Sequence, residues 1–281
     1  MTPRDLWIRF ETYHDVTYFT PESRAVTDAL GCRGGWMGYF GMRAAPLGAV
    51  GPEAVTAAFY SFHPTRVARA LPAAWAVAPP ERFLEARLEG VDAALRRMLP
   101  TLDVAEAAGL AVAAAGSTEL AGRVLGAANA GLDLPGEPHL ALWQACTTLR
   151  ESRGDGHVAA LVAADLAPCE ALVLFGADNG LDPAYLRTAR GWDEEEWAGA
   201  EAALASRGLF SGGGLTAEGK ALRVDIERRT DDAAARPWRA LGEERTARFL
   251  DLMTPLVLAL GRQNEAMRVN PLGLDVVEAL G

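Results

Sequence analysis

The chain has 281 residues, half of them hydrophobic and 23% charged, with a net charge of −10 and a pI near 5.0. That length supports one large or two ordinary domains around a sizeable core, and the composition excludes a disordered chain. The acidic balance opposes non-specific nucleic-acid binding, which needs clustered cations to displace counterions from phosphates.

Lys220 is the only lysine, so the basic residues are almost all arginine. Cys32, Cys146 and Cys169 lie far apart and form no CxxC. Reduced thiols are therefore expected, not a disulfide frame or a zinc knuckle. The charged N-terminal stretch lacks an apolar signal core, and nothing approaches the ~20 uninterrupted apolar residues of a membrane span. A cytoplasmic protein with no membrane partner is expected.

Helical periodicity dominates the chain and strand alternation is scarce. The expected fold is all-α: two winged-helix-like lobes joined by long helices, with a short β-hairpin wing. Proline and glycine punctuation divides the chain into an N-terminal helical lobe (1–78), central helices (79–135) and a second lobe with a C-terminal helix (136–281).

Near the start, His14, Tyr18 and Phe19 precede Pro21. Gly31, Gly34, Gly35, Gly38 and Gly41 follow in a segment that otherwise reads helical, each costing up to ~1 kcal/mol against alanine. Close approach of a neighbouring helix or of a ligand would explain them. Trp36, Tyr39 and Arg43 project from that segment, and Phe59 and His63 end another helix before Pro64. Such aromatic and histidine clusters suit a pocket lining or an ordinary core.

From Pro79 to Leu99, Leu84, Leu88, Val91, Leu95 and Met98 form one apolar stripe. After a break at 131–138, His139, Trp143, Cys146 and Arg150 share a helical face by their spacing of four, three and four. That mixture fits a pocket wall or a buried polar network. In RESRGDGH (150–157) the glycines favour a turn, with Asp155 placed to cap a following helix. His157 would then lie in a first turn, where the helix dipole lowers its pKa.

Further on, Asp193 and Glu196 make a capping-box pattern. LFSGGGLT (209–216) reads as a tight hairpin, and Thr216 caps the next helix. ALGCRGGWMGYFG (29–41) and ADLAPCEALVLFG (164–176) echo one another, as an internal duplication or a chance match in Ala/Gly-rich sequence would produce. Phe249, Leu252, Met253, Leu256, Val257 and Leu260 form a terminal stripe suited to the other lobe or to a homodimer partner.

Helix, RGL, hairpin, LTxxG and helix together resemble the second half of a MarR-type winged helix. YHDVTYFTPESR, RGGWMGYFGMRAAPLG, FYSFHPTRVARALPAAW and LRESRGDGHVAAL are similar to an actinobacterial helix-turn-helix, MarR-like family. The resemblance covers nearly the whole chain and implies a fold but no activity. MarR-type readers insert the helix before the wing into the major groove and carry basic residues on the wing. Here that helix opens on Asp193, Glu194, Glu195 and Glu196, and the wing is SGGG, so DNA is not the expected partner of this surface.

No HxxxH, HExxH or acidic metal cluster occurs, and no Ser-His-Asp order or nucleophile elbow. Neither a metal nor a cofactor is expected. The leading expectation is a small-molecule-binding protein or enzyme, with a pocket between the lobes for an apolar or aromatic ligand. His157 or His14 would serve as acid or base. Tyr18, Phe19, Trp36, Tyr39, Arg43, Phe59, His63, His139, Trp143, Arg150 and Asp155 would bind the ligand, the arginines orienting an anionic substituent. The alternative is a ligand-responsive regulator, whose basic face would combine Arg187, Arg190, Arg223, Arg228 and Arg229.

Overall fold

The computed structural model describes residues 2–99, 101 and 103–281. Prolines open most of its helices, as expected where a first-turn N–H has no partner to lose. The first stretch comprises α1 (Pro3–Phe19), α2 (Pro21–Leu30), α3 (Gly35–Ala44), α4 (Pro52–Phe59), α5 (Pro64–Ala70), α6 (Ala73–Val77) and α7 (Pro80–Met98). The short α8 (Ala105–Ala115) and α9 (Val124–Ala130) lead to the longest helix, α10 (Pro138–Ala163). Then come α11 (Pro168–Asn179), α12 (Pro183–Arg190), α13 (Glu194–Ser206), a hairpin of β1 (Phe210–Ser211) and β2 (Gly214–Leu215), and α14 (Ala217–Ala234). The chain ends through α15 (Arg236–Leu241), α16 (Glu243–Gln263) and α17 (Val276–Leu280).

The fold is all-α with, among the described residues, one short β-hairpin between α13 and α14. Phe210 pairs with Leu215 and Ser211 with Gly214, around Gly212 and Gly213 at φ 58° and 79°. Two successive positive φ values make the turn that matches strand twist, and glycine adopts them without strain. The glycine of LTxxG, Gly219, has a separate reason: a Cβ there would collide with the Leu209 carbonyl oxygen. Asp193 caps α13 in a capping box with Glu196, and Thr216 caps α14.

Three apolar clusters organise the packing. One joins α1, α7, α8, α10, α15 and α16. Phe249, Met253, Val257 and Leu260 of α16 are fully buried in it, so the terminal stripe covers the chain's own core. A second gathers α3 to α6 around Phe40, Leu71 and Phe83, and a third gathers α11 to α14 around Leu174, Leu186 and Leu204. Among the described residues no single helix is long and apolar enough to cross a membrane; α10 and α11 in sequence are, but they bend by 106° between them.

One local expectation fails. RESRGDGH forms no turn: α10 runs unbroken through Gly154 and Gly156. Gly156 serves close packing, because a Cβ there would meet the Arg123 guanidinium and stand 3.1 Å from Ala233 on α14. Asp155 is a cap, but of another helix: its Oδ2 accepts from the backbone N–H of Leu125 (3.0 Å) and Gly126 (2.8 Å) at the start of α9. Helix α10, packed against α8, α9 and α14, keeps its backbone bonds despite its glycines.

The glycines of α3 likewise answer to packing. At Gly38 a Cβ would stand 2.7 Å from Thr27 of α2, and at Gly41 it would enter the buried Phe83 ring of α7. Gly41→Ala is therefore expected to destabilise the fold by about 1–3 kcal/mol. Gly109→Ala, in α8 with nothing within 4 Å of the new methyl, should stabilise it by about 0.5–1 kcal/mol. Urea midpoints of the two variants check this: equal shifts would contradict it.

Candidate functional site

A cavity of about 500 Å³ opens where α1, α3 and the end of α4 face α10, α11 and α12. Arg4, Trp7, Glu11, Asp15 and Tyr18 recur at three- and four-residue steps, so one face of α1 lines it. Trp36, Tyr39 and Arg43 come from α3, and Phe59, Tyr60 and Phe62 from the end of α4 and the turn after it. Arg150, Arg153 and His157 come from α10, Phe175 from α11, Arg190 from the last residue of α12, and Glu227 from α14.

Behind this wall runs a chain of buried ion pairs. Glu151, 1% exposed, takes a two-pronged bond from Arg43: Nε to Oε1 and Nη2 to Oε2, both 2.9 Å. Arg150 donates Nη1 to the same carboxylate and Nε to Glu11 Oε1, again at 2.9 Å. Glu11 also accepts from Trp7 Nε1, and Arg43 Nη1 reaches Tyr39 Oη. Burial alone would raise the Glu151 pKa; Arg150 and Arg43 override it and hold the carboxyl well below its usual range. Beyond them, Arg153 pairs with Glu227 and Asp231, and its guanidinium lies over the Trp7 ring.

Three charge-bearing side chains on the cavity wall stand outside this pairing: Arg4, exposed and packed over the Trp7 ring, and the more enclosed Arg190 and Asp15. Arg190 packs its guanidinium 4.7 Å from the Phe62 ring centroid and meets no carboxylate among the described residues. Its Nε is buried without a hydrogen-bond partner, and desolvation lowers its pKa to about 10. Asp15, 3% exposed, has no side-chain hydrogen bond or ion pair among the described residues. Burial first, and then the neighbouring Glu11, push its pKa well up.

The histidines divide by position. His157 lines the cavity, with Nδ1 at 2.9 Å from Thr230 Oγ1. The Thr230 hydroxyl donates to the Ile226 carbonyl, so Nδ1 must carry the proton and Nε2 the lone pair. Desolvation lowers the His157 pKa to about 4, which keeps the ring neutral at pH 7. The lowering comes from burial and not from a helix N-terminus, since His157 lies deep inside α10. His14 makes the same bond to Thr147 but is fully buried behind the wall, stacked on Trp143.

Of the residues singled out from the sequence, Tyr18, Phe19, Trp36, Tyr39, Arg43, Phe59, Arg150 and His157 lie on the wall of this one cavity. His14, His63, His139, Trp143 and Asp155 do not line it. Trp143 is a core residue bonded to the His14 carbonyl, and His139 pairs with Asp92 at the N-terminal end of α10. His63 caps α5 by accepting from Thr65 N–H, then donates Nε2–H to Glu196 of α13 at 2.8 Å. Trp192 Nε1 donates to the Ser61 carbonyl and His63 N–H to the Arg190 carbonyl, both at 2.9 Å. These bonds seat the start of α13 against the segment joining α4 to α5.

Arg4, Trp7, Glu11, Asp15, Arg153, Phe175, Arg190 and Glu227 are among the wall residues that reading the sequence does not place at a ligand site; Arg190 reads there as part of a basic face. The signal for the α1 group was its spacing, a polar stripe on a helix with aromatics on both sides; Arg190 carried none. Among the described residues no group of three His, Cys, Asp or Glu side chains converges to hold a metal ion, and all three cysteines are free and buried.

The model of a helix-turn-helix family matches residues 3–267. No curated protein and no solved structure matches the chain.

Removing the charge of Glu151 leaves two buried guanidinium groups short of a partner. Glu151→Gln is expected to lower stability by about 3–5 kcal/mol. The folded carboxyl titrates below its ordinary 4.5, so its contribution is complete above that pH and is lost as pH falls further. Denaturant midpoints from pH 7 to 3 should drop steeply for wild type and less for the variant. Parallel curves would contradict the assignment.

Proposed function

Because the chain belongs to a helix-turn-helix family, we propose that it is a ligand-binding protein on a MarR-like winged-helix scaffold, whose cavity takes a small aromatic acid. The observation that carries this reading is Arg190, a half-buried cation without a carboxylate, its Nε enclosed and unpartnered, on a wall of aromatic rings. An unpaired buried charge is costly, by several kcal/mol in real proteins, and an anion from solution relieves that cost. Arg43 and Arg150 already share Glu151 and Glu11, Arg153 has Glu227 and Asp231, and Arg4 is exposed to solvent, so Arg190 is the enclosed cation left for an anion. Trp7, Tyr39, Phe59 and Phe62 offer faces and edges to a ring system, and the volume suits a molecule of drug size. His157 Nε2 adds a neutral acceptor.

Duplex DNA is the poorer fit. The start of α13 presents Glu194 and Glu195 to solvent while Glu196 is held by His63. Arg228 and Arg229 lie against Asp225 and Asp232 of their own helix, and Arg223 against Asp178 and Glu227. Arg190 faces the cavity. Those four arginines, needed for a basic face, are thus engaged elsewhere.

Titration with 2-naphthoate, followed by calorimetry, tests the reading. Wild type should bind one molecule, and Arg190→Met should bind it more weakly by about 2–3 kcal/mol, roughly 30- to 150-fold. The same variant should be at least as stable as wild type, because it removes a partly desolvated charge that has no carboxylate partner. Equal affinity of the two proteins would sink the proposal.

A further inference from the structure

Arg190 is one enclosed group on the cavity wall without a charged partner; Asp15 is another. Asp15, 3% exposed, lies on the wall one turn beyond Glu11 on the same face of α1, and its carboxyl has no donor or acceptor among the described residues. Glu11 takes the Trp7 indole and the Arg150 guanidinium, so those donors do not reach past it to Asp15. A carboxyl left over in such a place must find a partner or shed its charge.

We propose that Asp15 carries a proton in the empty cavity and donates it as a hydrogen bond to the ligand, so that the site selects aromatic acids bearing a second, neutral acceptor such as a ketone or quinone oxygen. This rests on the reading of Arg190 as the anion site and adds the group that recognises the rest of the molecule. The charged and titratable groups around the cavity fit it. Glu11 on α1 and Glu151 on α10 repel a second carboxylate charge, whereas Arg150 and Arg43 favour one; desolvation outweighs both and keeps Asp15 raised. His157 on α10 is neutral, and Glu227 on α14 pairs with Arg153 and Arg223. An ammonium ligand would also suit a lone carboxyl, but it would have to enter a wall carrying Arg4, Arg43, Arg150, Arg153 and Arg190.

The arrangement gives the cavity three separate handles: a cation at Arg190, a donor at Asp15 and an acceptor at His157 Nε2. A site built to hydrogen-bond a substrate oxygen rejects the analogue that lacks it, because the buried donor is then left unpaired. No bond other than hydrogen bonds forms or breaks in this step, so it needs no co-reactant.

Two measurements test it. Infrared spectra of the ligand-free protein at pH 7 should show the C=O stretch of a protonated carboxyl that Asp15→Asn removes; its absence from wild type overturns the proposal whether or not any acid binds. Affinities for 2-naphthoate and for the set of its ring-acetylated isomers give the second arm. The best isomer should bind wild type at least tenfold more tightly than 2-naphthoate. Asp15→Ala should abolish that preference, and Asp15→Asn, whose amide still donates, should keep most of it and its melting temperature. The wild-type preference should also fade as pH rises and Asp15 ionises, while the Asn variant stays flat.

An unchanged preference in Asp15→Ala, no preference for any isomer, or tighter binding of 2-naphthylmethylamine than of the acids would each overturn the assignment. If 2-naphthoate fails to bind at all while the infrared band is present, the anion site at Arg190 falls and the protonated Asp15 stands.

Discussion

Glu151 is held by Arg43 on one side and Arg150 on the other, and Arg150 in turn holds Glu11. That single buried carboxylate ties α3 to α10, and through Arg150 it ties α10 to α1. The carboxylate oxygens and the guanidinium forks are matched in geometry, which is the condition under which buried ion pairs offset their desolvation. Three helices meet along this seam at fixed register, and the cavity is the space left on its open side. Removing the seam would leave the aromatic wall without a frame, since Trp7 is held by Glu11 and Tyr39 by Arg43.

The seam also explains why the cavity has a sign. Its pairs are close to balanced, so each added charge on the wall stands out. Arg190 is such a charge, and it lies at a structural junction: its carbonyl accepts from His63 N–H, beside the Trp192–Ser61 bond and the His63–Glu196 pair that seat α13 against the segment joining α4 to α5. Helix α13 is fixed by its N-terminal end to the rest of the chain. Acidic residues at that end, which would repel phosphates, serve as helix caps and as a partner for His63.

What the sequence discloses is what local rules decide. The α7 and α16 stripes, the Asp193–Glu196 capping box and the Gly212–Gly213 turn depend on residues within a few positions of one another, and they appear where spacing and turn chemistry place them. The unbroken run of α10 through Gly154 and Gly156 depends on α9, α14 and Arg123, which no local window contains. For the same reason Asp155 reads as a cap of its own helix and proves to cap α9. His14, His63, His139 and Trp143 draw attention by residue type, yet each sits in a core or capping role away from the cavity. The stripe of Arg4, Trp7, Glu11, Asp15 and Tyr18 was readable by spacing, whereas Arg190, followed by Gly191, reads as an ordinary cation at a helix C-terminus.

The account turns on whether an anion completes the cavity at Arg190. A crystal structure of the protein grown with 2-naphthoate addresses this most directly. The account predicts the carboxylate within hydrogen-bond distance of the Arg190 guanidinium and the rings against Phe62 and Tyr39. Naphthoate bound only on the outer surface, with Arg190 turned to a protein carboxylate, would contradict it.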